Sequence, residues 1–298
     1  MKIIEWLKLP ETMGIENLDD PATTLLHAEI IQKKPFLKKL YIDFYKQFKK
    51  SISNSEEKVL VELGSGGGFI KEIISNVITS DVLELPNVDK VFSALDMPFE
   101  EASVDAFFMF DVLHHITEPK AFFREALRCL KVGGRVVMIE PANTLWSRFI
   151  YKNFHHEAFD TQAPEWCCRG QAKWELGPRP SWLGQAETGK AGTLQESGPL
   201  SGANGALAWI IFWRDRKIFE SEFPSLRIVR LRNHTPLRYL LSGGLRLRQL
   251  VPSFSYPAVK ALEYTLSPIN DLLGMFQTIE LEKVALPHQR VPALLGSK

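Results

Sequence analysis

The chain has 298 residues, enough for one large α/β domain with additions or for two small domains. Hydrophobic residues make up 45% and charged residues 24%, the balance of a globular protein with a sizeable core. With 36 basic against 35 acidic residues the formal charge is +1, which excludes a whole-molecule field that would draw in nucleic acid or an anionic membrane.

Residues 1–20 read as a loose arm. From Pro21 to Lys50, apolar residues recur at helical spacing between lysines, predicting an amphipathic helical cap. A polar linker follows at 51–57, then a short β-branched strand over 58–63 that ends in glycines. The pattern then alternates. A helix is predicted over 69–75, strands over 77–81, 90–95 and 104–110, a helix over Pro119–Leu130 and a strand over 135–140. Strands alternating with helices imply a parallel sheet with right-handed crossovers. Trp146–Phe154 reads as helix, whereas 161–204 is rich in Gly, Pro, Ser and Gln without period, as in a lid or insertion. Pattern resumes with a helix over Gly205–Phe219, a strand over 226–231 and a helix over 258–273. The alternation over 276–284 predicts an exposed-edge strand.

The three cysteines, Cys129, Cys167 and Cys168, are too few for a disulfide framework and show no metal-ligand spacing. His155-His156-Glu157 likewise lacks a zinc motif's spacing, and no metal is expected. The opening residues lack the apolar core of a signal peptide. The longest apolar run, Ala206–Trp213, falls far short of the roughly 20 residues that span a bilayer. A cytoplasmic protein without an integral membrane segment is expected, with peripheral membrane contact left open.

The strand over 58–63 runs into Glu62-Leu63-Gly64-Ser65-Gly66-Gly67-Gly68-Phe69. Strand, glycine loop and helix together bind nucleotide-like cofactors at the carboxyl end of a parallel sheet. A dinucleotide fingerprint starting at Gly64 needs glycine at 69, where this chain has Phe69, and a phosphate loop needs a Gly-Lys-Ser/Thr that is absent. An acid at the end of the second strand would accept both ribose hydroxyls. Asp81 lies 17 positions past Gly64, with Glu84 as its competitor at 20.

The pattern Glu-x-Gly-x-Gly-x-Gly resembles the first motif of class I S-adenosylmethionine-dependent methyltransferases. Ser93-Ala94-Leu95-Asp96-Met97-Pro98-Phe99 resembles that family's Asp-Ala-x-x-Leu-Pro-Phe segment, and Phe110-Asp111-Val-Leu-His114-His115 its Leu-His-His stretch. In order and spacing the set is similar to the methyltransferase type 11 group. Ser197–Ala206 and Tyr239–Gly244 resemble a bacterial subgroup without a known substrate.

The resemblance implies S-adenosylmethionine as cofactor and a Rossmann-like, seven-stranded, mostly parallel sheet with helices on both faces. The cofactor residues it implies are Glu62, Gly64, Ser65, Gly66, Gly68, Asp81, Ser93, Ala94, Leu95, Phe110 and Asp111. Ser93 replaces the family's acid for the adenine amino group, and Asp96 is the alternative. The expected organisation is a cap over 1–55, the cofactor core over 56–142 and an insertion over 143–225 with its loop at 161–204. The end of the sheet follows over 226–285, then a tail over 286–298.

An acceptor hydroxyl or acidic carbon needs a base, for which His114 and His115 are the candidates; either could equally line the pocket. The acceptor pocket is expected between the cap and the insertion. Their aromatic residues, including Tyr41, Phe149, Tyr151, Phe154, Trp209 and Trp213, favour a small, partly apolar acceptor, lipid-like or glycosylated, over a nucleic acid. Asn204 is a candidate polar contact. A methyltransferase-like binding module without activity and a nicotinamide oxidoreductase are the alternatives.

Overall fold

Leu60–Leu63 (β1) is buried at every position, as a strand covered on both faces must be. It pairs in parallel with Ile78–Asp81 (β2) on one side and with Val104–Phe110 (β4) on the other. Lys90–Val91 (β3) extends the sheet beyond β2, and Leu130–Pro141 (β5) lies parallel to β4. The sheet closes with Leu226–His234 (β6) and Phe276–Lys283 (β7), giving the order β3-β2-β1-β4-β5-β7-β6. Four pairings are parallel, and the two made by β7 are antiparallel. The Rossmann-like seven-stranded sheet with flanking helices is therefore present. This computed structural model describes residues 6–13, 19–154, 157–164, 166 and 202–285. His155, His156, Cys167, Cys168 and Ser197–Ser201 lie outside the described residues, as does most of the 161–204 segment.

The chain leaves β1 toward β2 and β3, then returns to place β4 on the opposite side of β1. That reversal opens a crevice beyond the carboxyl ends of β1 and β4, where open α/β sheets bind ligands. Leu63, the last residue of β1, is in register with Ser80 and Met109, so the loops after all three strands emerge together.

The cap belongs to the same core, and the described part of the N-terminal arm is bonded to residues 246–248. Lys8 bridges to Leu247, and the cap is two helices, Pro21–Lys33 and Pro35–Ser51, separated at Lys34 because Pro35 disfavours helix at the residue before it. Phe36, Leu37, Leu40, Phe44 and Phe48 of the second helix have no exposed surface and join one continuous hydrophobic cluster with the strands. From the other side, Phe123 of the helix Pro119–Cys129 meets Phe212, Phe219 and Phe223 at ring-centroid separations of 5.2–6.0 Å.

Several sequence expectations change. In place of a helix over 69–75 there is a single 3-10 turn, Ile70–Glu72, since so short a span before β2 cannot offset the cost of helix nucleation. The strand expected over 90–95 stops at Val91, and Ser93–Asp96 turns back on itself. The helix over 205–219 is a short α-turn, Leu207–Trp209, and a π-turn, Ile210–Arg214, followed by the helix Arg216–Glu222. The strand over 276–284 is not an edge. β7 is interior, between β5 and β6, and its first six residues are buried. Its alternating acids are matched across the sheet: Glu280 pairs with Arg230 at 2.7 Å and Arg135 at 3.5 Å, and Glu282 with Arg227 at 3.0 Å. The edge is β6.

Candidate functional site

The glycine loop is stapled to β2. Ser65 N–H donates to Ser80 O at 2.8 Å, Ser80 N–H to Ser65 Oγ at 3.2 Å, and Gly66 N–H to Asp81 Oδ2 at 2.9 Å. Gly64 has φ +66°, and a Cβ there would lie 2.6 Å from Val112 Cγ2. A Cβ on Gly68 would meet the Tyr45 hydroxyl at 2.5 Å and Ser65 O at 2.8 Å. The left-handed backbone and the crowding by Val112 together favour glycine at the first position, and only glycine fits the second. The loop thereby presents its main chain to the space beyond β1.

That space is a cavity of about 310 Å³. Its lining contains Glu62, Gly64, Ser65, Gly66, Gly68, Asp81, Ser93, Ala94, Leu95, Phe110, Asp111 and His115. The structure thus gathers every cofactor residue expected from sequence around one cavity. Glu84 and Asp96 are exposed and do not line it. The cap adds Thr24, His27, Tyr41 and Tyr45 to the wall. Tyr45 anchors here by accepting the Phe69 N–H at 3.2 Å.

Glu62 is 3% exposed and its Oε2 has no hydrogen-bond partner. Burial pushes its carboxyl up to about 8, against the pull of the Ser65 hydroxyl and with a smaller push from Asp81. A buried acid with an unused oxygen on a cavity wall fits a cationic ligand group such as an ammonium. Asp81 is aimed by the loop: Gly66 N–H holds one oxygen and Leu83 N–H the other, at 3.0 Å. Lone pairs remain on both for hydroxyls of a sugar.

Asp111 follows β4 in the left-handed region, with φ +61°. Its side chain is 44% exposed and lines the cavity. Burial raises its carboxyl to about 7; the nearby His114 opposes that shift, while Glu157 and Glu140 add to it. The two histidines diverge. His115 lines the cavity, whereas His114 lies behind the wall with no exposed surface. Glu140 of β5 fixes that turn. It accepts Val112 N–H at 2.9 Å, Leu113 N–H at 2.7 Å and pairs with His114 Nδ1 at 2.7 Å. His114 Nε2 faces Glu157 Oε2 at 3.5 Å, an ion-pair contact too long to close a good hydrogen bond. Burial disfavours the charged imidazole, but Glu140 and Asp111 outweigh it and hold the pKa well above the usual histidine value.

A second cavity of about 260 Å³ adjoins the first. Thr24, His27, Asp111, His115 and Leu245 line both. Beyond that junction its wall comes from Ile150, Tyr151 and Phe154 of the helix Leu145–Phe154, from Glu157, and from Tyr239–Leu247. Tyr239, Leu245 and Arg246 were missed as site residues from sequence, although Tyr239-Leu-Leu-Ser-Gly-Gly244 marks the segment. The expected Phe149, Trp209 and Trp213 line neither cavity. Trp213 instead donates to Gln277 Oε1 at 3.0 Å. Asn204 is spent on structure: its carbonyl oxygen accepts from Asp160 and Ala206 N–H groups, and its amide donates to Asp160 O.

His114, His115 and Glu157 bring potential metal-ligand atoms within 4.8 Å of one another, and so do Asp111, His114 and Glu140. Among the described residues no helix is long and apolar enough to cross a membrane.

Residues 61–138 match a family model described as a methyltransferase domain. Comparison with curated proteins finds no match. Among solved structures the chain is similar to geranyl diphosphate C-methyltransferase from Streptomyces coelicolor A3(2), solved with Mg2+, geranyl diphosphate and S-adenosyl-L-homocysteine. The identity is 14%, covering 83% of this chain and 81% of that one, with a TM-score of 0.38. It is similar to a SAM-dependent methyltransferase from Aquifex aeolicus at 14% identity, covering 89% and 99%, with a TM-score of 0.42. Phosphoethanolamine N-methyltransferase 2 from Haemonchus contortus, in complex with S-adenosyl-L-methionine, is 14% identical over 89% of this chain and 58% of that one, with a TM-score of 0.44.

Proposed function

We propose that this chain works as an S-adenosylmethionine-dependent methyltransferase, a reading supported by the methyltransferase-domain match over residues 61–138, and that the larger cavity holds the cofactor and the smaller one a partly apolar small-molecule acceptor. The observation that carries this reading is the junction: two cavities meet at Thr24, His27, Asp111, His115 and Leu245. A donor and an acceptor must meet at such a point for an in-line displacement.

In this reading Glu62 takes the ammonium of the cofactor through its unused oxygen. Asp81 takes the ribose hydroxyls, and Ser93, Ala94 and Leu95 frame the adenine. The cofactor supplies a methyl group already activated on a sulfonium, so the chain's main contributions are positioning and proton removal. His115, at the junction, takes the acceptor's proton. His114 is a positioning residue, tied by Glu140 to the turn that carries Asp111 and His115.

Calorimetric titration tests the cofactor assignment. S-adenosylmethionine and S-adenosylhomocysteine bind at one site, and a nicotinamide dinucleotide does not. Failure of the first two to bind, or binding of the third, sinks the reading. For the acceptor step, His115→Ala leaves cofactor affinity within a few fold and slows turnover about 10²-fold or more.

A further inference from the structure

Arg246 lines the acceptor-side cavity but not the cofactor cavity. Its main chain is clamped. Leu9 N–H donates to Arg246 O at 2.9 Å, and Arg248 N–H donates to Leu7 O at 2.7 Å. Lys34 Nζ donates to the carbonyls of Gly244 and of Leu247, the latter at 2.7 Å. The position is therefore built rather than loose. Among the described residues, its guanidinium has no hydrogen bond and no ion pair.

That is unusual for a partly buried arginine in this chain. Arg238 shows the contrast: its guanidinium is met by Asp43 at 2.6 Å, by Glu263 at 2.5 Å and by the Tyr256 hydroxyl at 2.7 Å. Desolvating a guanidinium without an anion costs free energy. Burial lowers the Arg246 pKa for that reason, and the carboxylate of Glu157 only partly offsets the effect. Across the cavity, His27 Nε2 is buried without a hydrogen-bond partner. Burial and the charge on Arg246 both lower the His27 pKa, which places the two in one electrostatic neighbourhood. Two polar groups on the cavity lining thus lack a partner among the described residues. Most of the remaining wall is apolar: Ile150, Phe154, Leu240, Leu247 and Met275.

We propose that this cavity binds an acceptor with an oxyanion head, carboxylate or phosphate, held by Arg246 with His27 alongside, and an apolar body against Ile150, Phe154, Leu240 and Met275. The proposal rests on the two-cavity reading above and names the acceptor class. Arg246 is a positioning and specificity residue. A guanidinium forks onto a planar oxyanion through two parallel hydrogen bonds, which sets orientation as well as affinity. The carboxyl groups of Asp111, at the junction, and Glu157 line the same cavity and disfavour an oxyanion beside them.

The test is calorimetry on protein saturated with S-adenosylhomocysteine, using four probes that share one tail: octanoate, octyl phosphate, octanol and octylamine. At least one of the two anions binds, and which one distinguishes carboxylate from phosphate. Octanol and octylamine bind at least tenfold more weakly. Arg246→Gln weakens the anion at least tenfold, Arg246→Lys restores part of it, and both variants bind S-adenosylhomocysteine within about twofold of the unaltered protein. Equal binding of the neutral or cationic probe, no binding of any probe, or indifference to Arg246→Gln overturns the proposal. Failure of the unaltered protein to bind S-adenosylhomocysteine strikes the cofactor reading instead, so the two failures are distinct.

Discussion

The Gly66 amide donates to the Asp81 carboxylate at 2.9 Å, joining the loop after β1 to the end of β2 across 15 positions of sequence. The bond aims the acid and braces the loop at once. Asp81→Ala removes both effects. Affinity for S-adenosylhomocysteine is expected to fall at least tenfold, about 1.4 kcal/mol, with the fold retained. Calorimetry checks this, and unchanged affinity moves the ribose contact elsewhere.

Glu62 gives a pH dependence of definite sign. Its folded-state pKa is raised from 4.5 to about 8. The empty protein therefore holds a proton there that the unfolded chain gives up, and stability is lost as pH rises from the mid-fours through about 8. Glu62→Gln is expected to flatten that loss in thermal melts of the empty protein taken across the same window. Cofactor affinity should move oppositely: it increases as Glu62 ionises and meets the ammonium, and the glutamine variant binds more weakly at pH 9. Parallel pH profiles for the two proteins would contradict the assignment.

Gly64→Ala puts a Cβ 2.6 Å from Val112 Cγ2 at a φ of +66°. The backbone strain alone costs roughly 1–2 kcal/mol, and the clash adds to it. The urea midpoint is expected to fall with the slope unchanged, and cofactor binding to weaken. The double variant Gly64→Ala/Val112→Ala relieves the clash and recovers part of the midpoint. No recovery would mean that backbone strain dominates.

Glu140 and His114 have no exposed surface, and Glu140 also carries two backbone amides. Glu140→Ala takes the shared acceptor from the buried Leu113 amide and His114 Nδ1 and from the partly buried Val112 amide. A loss of about 3–5 kcal/mol in denaturant unfolding is expected, the scale of a broken buried pair. A loss below about 1 kcal/mol would show that the pair does not brace the turn bearing His115.

The larger cavity was legible because its parts are local. A loop after one strand, an acid ending the next and an aromatic–acid pair after the fourth keep their spacing in sequence, and the parallel sheet brings them together. The roof was not legible. Thr24 and Leu245 line the same two cavities across more than 200 positions, and no periodicity records that contact. The acids of β7 misled for a related reason: Glu280 and Glu282 look solvent-facing in a linear pattern, but their partners, Arg135, Arg227 and Arg230, sit on neighbouring strands. His114 and His115 are adjacent in sequence, yet one is enclosed behind the wall and the other lines both cavities.

The clamp of Lys8, Leu9 and Lys34 on the 244–248 segment has a consequence in time. Ribosomal synthesis delivers residues 8–34 early, but the partner of Lys34 at Gly244 follows 210 positions later. Closing so long a loop carries an entropic penalty that only the finished contacts repay. The clamp can therefore form only once residue 248 has been made, after most of the sheet's strands.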